Sequence, residues 1–230
     1  MSHLRVGRRG VLAVAAGLLA TAGTAVVVTG SSTAAGPPQP PQDRVAVTTA
    51  PVPDLTPVPG LVPVPAEPQP AAADLGPVLT SSPPVRLDIP AIDLSTTAFV
   101  PLSVGADGVL PAPTDFATAG WYTGGPTPGE LGPAVVAAHV DGPDGPALFY
   151  RLGLLVPGDE VTVTREDGTL ATFVIDAVNS YAKAEFPTSL VYGATDRAEI
   201  RLITCGGAFD RSTGHYVDNV IAFGHLVDNA

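Results

Sequence analysis

The single cysteine of the chain, Cys205, is the residue whose type and position point most directly to chemistry. It ends the predicted strand at residues 200–205 and is followed by Gly206 and Gly207. Rigid scaffolds present reactive groups where strands end, and glycines let a substrate backbone approach closely. A free cysteine can also be a small buried hydrophobic residue. The position favours a nucleophile, with Gly206 as a substrate contact.

A cysteine nucleophile needs a basic partner, because the thiolate is the reactive form and a free thiol is mostly protonated at neutral pH. His139 is the best candidate, since it ends the apolar sequence VVAAH just before a turn. His215 begins the last predicted strand, and His3 and His225 have no feature that recommends them. The sequence therefore predicts a Cys205–His139 pair.

Metal binding is the alternative use of these residue types. Zinc could be held in principle by Cys205, His139, His215 and Asp141. No two of them have the short sequence spacing that is typical of zinc ligands, and a bound zinc ion would prevent the thiol from acting as a nucleophile. The acidic loop residues at positions 144, 185 and 196 could bind calcium weakly, but nothing resembles an EF-hand loop. We predict no metal and no cofactor.

The charge balance excludes nucleic acid as a partner. The chain carries 22 acidic and 11 basic residues, a formal net charge of -11, whereas a phosphate backbone calls for clustered cations. Lys183 is the sole lysine, and alanine, glycine, valine and proline abound. This bias is typical of a high-GC coding background and indicates an actinobacterium-like source.

The N-terminal residues 1–35 are predicted to be a membrane anchor or signal segment. Arg5, Arg8 and Arg9 precede the uncharged run at residues 11–30, and twenty helical residues span about 30 Å, the thickness of a bilayer core. Basic residues ahead of the run stay in the cytoplasm, which places the rest outside. Cleavage near residues 34–36 is the alternative, and the chain would then be secreted. Either way, the domain that follows is exported.

Residues 36–84 are predicted to be a disordered proline-rich stalk, because fifteen of the 26 prolines lie there. Residues 85–230 form the folded domain. Short alternating or apolar runs separated by glycine and proline turns predict strands, including a hairpin at residues 160–177. The run at residues 147–155 is typical of a short helix. Many short strands favour a closed barrel or a sandwich.

The order of three motifs in this domain resembles the sortase family. The motifs are Ala137-Ala138-His139, then Phe149, Leu152 and Leu155 ahead of Gly158-Asp159, then LITC ending at Cys205. The tail TCGGAFDRSTGHYVDN at residues 204–219 is most similar to the actinobacterial class F branch. The resemblance implies an all-β fold, a closed eight-stranded β-barrel with one or two short helices, with calcium optional or absent.

The same resemblance implies the reaction. Sortases are thiol-dependent endopeptidases and transpeptidases that cut a C-terminal LPXTG-like sorting signal and join it to an amine, often on a peptidoglycan precursor or a pilin lysine. Cys205 would form a thioester with the threonine carbonyl carbon, and His139 would protonate the leaving amine and later deprotonate the incoming one. Protein substrates, an amine acceptor and the membrane are the expected partners.

The catalytic arginine of the family is displaced in this chain. Counting back along the last strand, the usual arginine position corresponds to Asn219, which carries no charge. Arg211, in the loop after Cys205, is the nearest replacement, and Arg201 is a second candidate on the strand that leads to Cys205. Thr204 and Asn219 are predicted to contact substrate beside the nucleophile.

Two other functions remain open on the sequence. A sortase-shaped domain that binds wall polymer or a partner protein without turnover is plausible because Asn219 replaces the arginine. An L,D-transpeptidase is the second alternative, but that family places its cysteine in an S-x-G-C context that residues 202–205 lack. The speed at which Cys205 reacts with an electrophile separates an active enzyme from a binding domain.

Overall fold

The structure is a computed structural model that describes residues 36–41, 76–106 and 108–228. The predicted membrane segment and most of the predicted stalk lie outside these residues. Within the described ranges, no helix is long and apolar enough to cross a membrane. The description below concerns the unit formed by Gly36–Ala230.

The described part of the chain is built from eleven strands and one short helix. The strands are β1 (Pro84–Ile89), β2 (Leu94–Thr96), β3 (Phe99–Leu102), β4 (Ala119–Tyr122), β5 (Gly132–Ala137), β6 (Asp141–Gly142), β7 (Gly145–Pro146), β8 (Glu160–Arg165), β9 (Leu170–Ala182), β10 (Ala198–Asp210) and β11 (His215–Asp228). The helix is α1 (Thr188–Tyr192), and single 3-10 turns occur at Pro90–Ile92, Leu152–Leu154 and Lys183–Glu185.

Nine of these strands form one sheet in the order β2-β1-β8-β9-β11-β10-β5-β4-β3, and β6 pairs with β7 alone. The pairs β10–β5 and β3–β4 are parallel, and the other pairs are antiparallel. The sheet is nearly closed and barrel-like, which confirms the predicted all-β fold with few helices. Its main sheet counts nine strands where the resemblance implied eight.

The pattern of apolar residues along β5 and β10 explains which faces of these strands are buried. β5 lies between β4 and β10 and is buried along nearly its whole length, as expected of a continuous apolar strand. On β10, Ile200 and Leu202 join the main core, whereas Ile203 joins a second apolar cluster on the other face. Side chains alternate along a strand, so Cys205 lies on the face of Ile203. That face carries the candidate site.

The predicted hairpin is present as β8 and β9, although β9 continues to Ala182. The short helix predicted at residues 147–155 is reduced to the 3-10 turn Leu152–Leu154. No side chain caps this turn and Gly153 lies inside it, so little favours a longer helix. The turn instead buries Leu152, together with Phe149 and Leu155, in the main core.

Candidate active site

Cys205 lies on β10 at the point where a neighbouring strand stops. The parallel pairing of β10 with β5 ends at Ile203 opposite Ala137, so β5 no longer covers this side of β10 at Cys205. β10 itself continues to Asp210, with a register shift between Gly206 and Phe209. The side chain of Cys205 is half-buried and the thiol is free. The thiol of this candidate nucleophile is thus exposed by the end of β5 rather than by the end of its own strand.

His139 is held two residues beyond the end of β5. Its Nε2 lies 2.7 Å from the carbonyl oxygen of Pro113, and its ring packs on Phe116 with 4.5 Å between centroids. A carbonyl oxygen only accepts, so Nε2 carries the proton of this hydrogen bond. In the neutral imidazole, Nδ1 is therefore the nitrogen that can take a proton.

A direct hydrogen bond joins the two chain segments that carry the pair. The hydroxyl of Thr204, which is buried, donates to the carbonyl oxygen of Ala138 at 2.8 Å. Thr204 precedes Cys205 and Ala138 precedes His139, so this bond fixes the backbone on both sides of the candidate pair. Thr204 was predicted as a substrate contact, and it lines the cavity as well.

Cys205 and His139 both line one cavity of about 510 Å³. Asn219, the direct cross-strand neighbour of Cys205, lines it too, so the structure brings together four of the predicted site residues. Most of the remaining wall is apolar or neutral and is formed by Gly108, Val109, Leu110, Pro111, Ala112, Ala137, Ala138, Phe186, Thr188, Tyr192 and Ile203. The shape suits a peptide with apolar side chains.

Arg211 and Gly206 are not among the described residues that line this cavity. Arg211 lies exposed in the turn between β10 and β11. Asp210, just before it, is five positions beyond Cys205, or roughly 16 Å along a strand. Gly206 is a buried residue of β10. A catalytic role for Arg211 stays a prediction that variants must test.

The guanidinium of Arg201, the second arginine candidate, is engaged in contacts that stabilise the fold. It is buried and its guanidinium donates to the carbonyl oxygens of Leu190 at 3.0 Å and Ile200 at 3.1 Å. It also pairs with Glu199 and lies 4.9 Å from the centre of the Phe223 ring. The contact with Leu190 ties β10 to α1, which forms a wall of the cavity.

Lys183 lines the cavity, although the sequence did not predict it as a site residue. Among the described lining residues it is the one lysine or arginine, and its side chain is exposed. It follows the last residue of β9, Ala182, which is paired with Asp218 of β11, and like Asn219 it lines the cavity. The sequence marked Lys183 only as an isolated cation in an acidic chain.

A second polar contact connects β6, two residues after His139, with β11. The Tyr216 hydroxyl donates to the carboxylate of Asp141. Burial raises the pKa of Tyr216 above its usual value, and the hydrogen bond to Asp141 adds to the shift. Asp141, considered above as a zinc ligand, is therefore engaged by a tyrosine, and the described residues contain no metal-ligating group of three or more.

Comparison with known proteins identifies the family. The family model for the sortase domain matches residues 87–227. The chain belongs to the sortase family, whose members are cysteine transpeptidases acting on proteins with sorting signals. Among curated proteins, no sequence matches the chain.

Solved structures agree at the level of the fold. A lid mutant of sortase A from Corynebacterium diphtheriae is similar at 20% identity and a TM-score of 0.50, over 65% of this chain and 73% of that one. Sortase C1 from Streptococcus agalactiae is similar at 19% identity and a TM-score of 0.50, over 63% of this chain and 67% of that one. At these identities, the likeness concerns the fold alone.

Proposed function

We propose that this chain is an extracytoplasmic transpeptidase that cleaves an LPXTG-like C-terminal sorting signal through a thioester on Cys205 and transfers it to an amine. The observation that carries this proposal is the shared cavity of Cys205 and His139. The hydrogen bond from Thr204 to Ala138 supports it, because it holds both backbones in one arrangement.

The residues support a balanced two-step reaction. The Cys205 thiolate attacks the carbonyl carbon of the signal's threonine, and the C–N bond after the threonine breaks. His139, in its protonated form, gives a proton to the departing amine. In the second step, an incoming amine attacks the thioester, His139 accepts its proton at Nδ1, and Cys205 leaves as the thiolate.

The cavity wall indicates how the signal is held. The apolar stretch at residues 109–112 lines the cavity together with Phe186 and residues of α1, and this apolar lining suits the leucine and proline of such a signal. Tyr192 adds an aromatic surface, and it contacts Tyr122 with 5.6 Å between ring centres. These contacts make α1 and the 109–112 stretch the specificity-determining elements of the proposal.

The proposal includes a cellular setting that rests on the sequence. The N-terminal residues 1–35 would hold the enzyme in the membrane by a single span, or release it if cleaved, with the barrel outside the cell. The class F tail and the composition suggest an actinobacterial enzyme acting at the cell wall. A peptidoglycan precursor or a pilin lysine would supply the acceptor amine.

A product assay tests the proposal. The whole chain is incubated with LPXTG-type peptides and an amine such as triglycine, and the ligated product is measured by chromatography. We expect product from the natural sequence and none above background from Cys205→Ala or His139→Ala. Product that persists without Cys205 contradicts the mechanism.

A binding domain without turnover is the second candidate, and one observation favours it. Asn219 is paired directly with Cys205, so a neutral side chain occupies the position next to the nucleophile where an arginine was expected. The rate at which an electrophile such as iodoacetamide alkylates Cys205 near pH 7 distinguishes the two. If Cys205 is alkylated no faster than free cysteine, the result supports a binding domain without turnover.

A further inference from the structure

A short piece of the predicted stalk is packed against the barrel. Pro37 and Pro40 are buried, and Pro38 and Gln39 are half-buried, although residues 42–75 separate this piece from the rest of the described chain. We call residues 37–41 the proline segment. Prolines favour an extended backbone with little conformational entropy to lose, so such a segment suits docking as a preformed ligand.

The proline segment contacts the backbone just after the nucleophile. The side-chain oxygen Oε1 of Gln39 accepts a hydrogen bond from the backbone N–H of Gly207 at 2.9 Å. The Nε2 of Gln39 donates to the carbonyl oxygen of Pro37 at 3.0 Å, which fixes the orientation of the amide. Gly207 lies in the register shift of β10, with φ at 75°. An N–H at such a bulge needs a partner outside the ladder.

Two glycines make room for this contact. A Cβ on Gly153 would overlap the carbonyl oxygen of Pro38, and a Cβ on Gly206 would lie 2.9 Å from Oε1 of Gln39. Neither glycine has a positive φ, so the local backbone would accept alanine. At Gly153 the proline segment therefore explains why a side chain is absent, whereas the conformation of this glycine does not. At Gly206 the side chain of Val220, 2.6 Å from such a Cβ, also excludes a side chain.

The proline segment lies on the core side of β10. A Cβ on Gly206 would also approach Val220, a residue of the main core, whereas Cys205 points to the opposite face. None of residues 37–41 is among the described residues lining the cavity. The contact consequently supports the nucleophile strand from behind and leaves the cavity open.

We propose that the cleft formed by Gly153, Gly206 and Gly207 is a binding site for an extended proline-rich peptide, occupied in cis by the proline segment. Gln39 is a positioning residue that orders the bulge after Cys205. Because the ligand is tethered to the barrel, its effective concentration keeps the site filled even if its intrinsic affinity is modest. The binding site stands on geometry alone, and only its effect on activity rests on the proposed function.

Hydrogen exchange at the Gly207 amide tests the binding site in the whole chain. We compare the natural sequence with Gln39→Met, which keeps the size but removes the acceptor, and with Gly153→Ala. We expect exchange at Gly207 to be about tenfold faster or more in both variants. Gln39→Met removes the protecting acceptor, and the added Cβ in Gly153→Ala displaces Pro38 and with it Gln39. The matched control is Gly36→Ala, whose Cβ meets nothing within 4 Å, and it should exchange as the natural sequence does.

The amide of Leu202 reports whether each variant keeps its core, since this residue is fully buried. Unchanged exchange at Gly207 in both variants, with Leu202 protected, overturns the binding site. Faster exchange at Gly207 with Leu202 still protected supports it.

Kinetics of Cys205 acylation by an LPXTG-type peptide test the positioning role. We expect Gln39→Met to lower kcat several-fold with KM unchanged, because the cavity itself is untouched. An unchanged kcat would contradict the positioning role proposed for Gln39. If the natural sequence shows no acylation while the exchange differences stand, the proposed function fails and the binding site survives.

Discussion

Replacement of Thr204 by valine tests whether one hydrogen bond holds the candidate pair together. The substitution keeps the β-branched shape and removes the donor that reaches Ala138 at 2.8 Å. Thr204 is 4% exposed, so the Ala138 carbonyl loses its side-chain partner in a place that water hardly reaches. An unsatisfied buried acceptor costs about 1–3 kcal/mol, which should appear as lower stability in urea unfolding.

The effect on catalysis should exceed a simple loss of stability. Displacement of reacting groups by about 1 Å can cost on the order of 100-fold in rate, so we expect acylation of Cys205 to slow by about 10- to 100-fold. Thr162→Val is the matched control, because this residue lies on β8 and is not among the described residues that line the cavity. Thr204→Val with acylation within about twofold of Thr162→Val refutes the reasoning.

Three further perturbations follow from the site. Lys183→Met should slow acylation roughly tenfold by removing the cavity cation, whereas Arg211→Met, at the exposed turn, should change it little. The reverse result would support the predicted role of Arg211 as the catalytic cation and contradict this role for Lys183. Tyr216→Phe should cost about 1 kcal/mol in denaturant unfolding by freeing Asp141, and an unchanged midpoint contradicts this. Burial alone would raise the pKa of Glu199, but hydrogen bonds from two arginines lower this pKa below 4.5. The ionised carboxylate therefore stabilises the fold above that pH, and this stabilisation is lost as the pH falls through the lowered pKa. In Glu199→Gln the unfolding free energy should depend less on pH in this acid range.

The sheet, and the placing of Cys205 and His139 in one candidate site, were predictable because their signals are local. Alternating and continuous apolar runs encode strands directly, and β5 and β8 are found where such runs occur. Cys205 and His139 were recognisable as chemical residue types next to turn residues. The structure refines the reason, since Cys205 is uncovered by the end of β5 and not by the end of β10.

The supporting contacts were not predictable because they join distant parts of the chain. The bond from Gly207 to Gln39 spans 168 positions, and the one from Thr204 to Ala138 spans 66. No local pattern encodes such pairs, and proline-rich composition alone predicted only a stalk at residues 36–84. The burial of Pro37 depends on a cleft that exists only once the barrel has folded.

The central claim is that Cys205 forms a covalent acyl intermediate with His139 as its acid–base partner. The most direct measurement is intact-protein mass spectrometry of the whole chain after brief mixing with LPXTG-type peptides. The account predicts a mass increase equal to the peptide fragment ending in threonine, located on Cys205, absent in Cys205→Ala and strongly reduced in His139→Ala. An adduct that forms equally fast in His139→Ala, or product release with no adduct on Cys205, would contradict it.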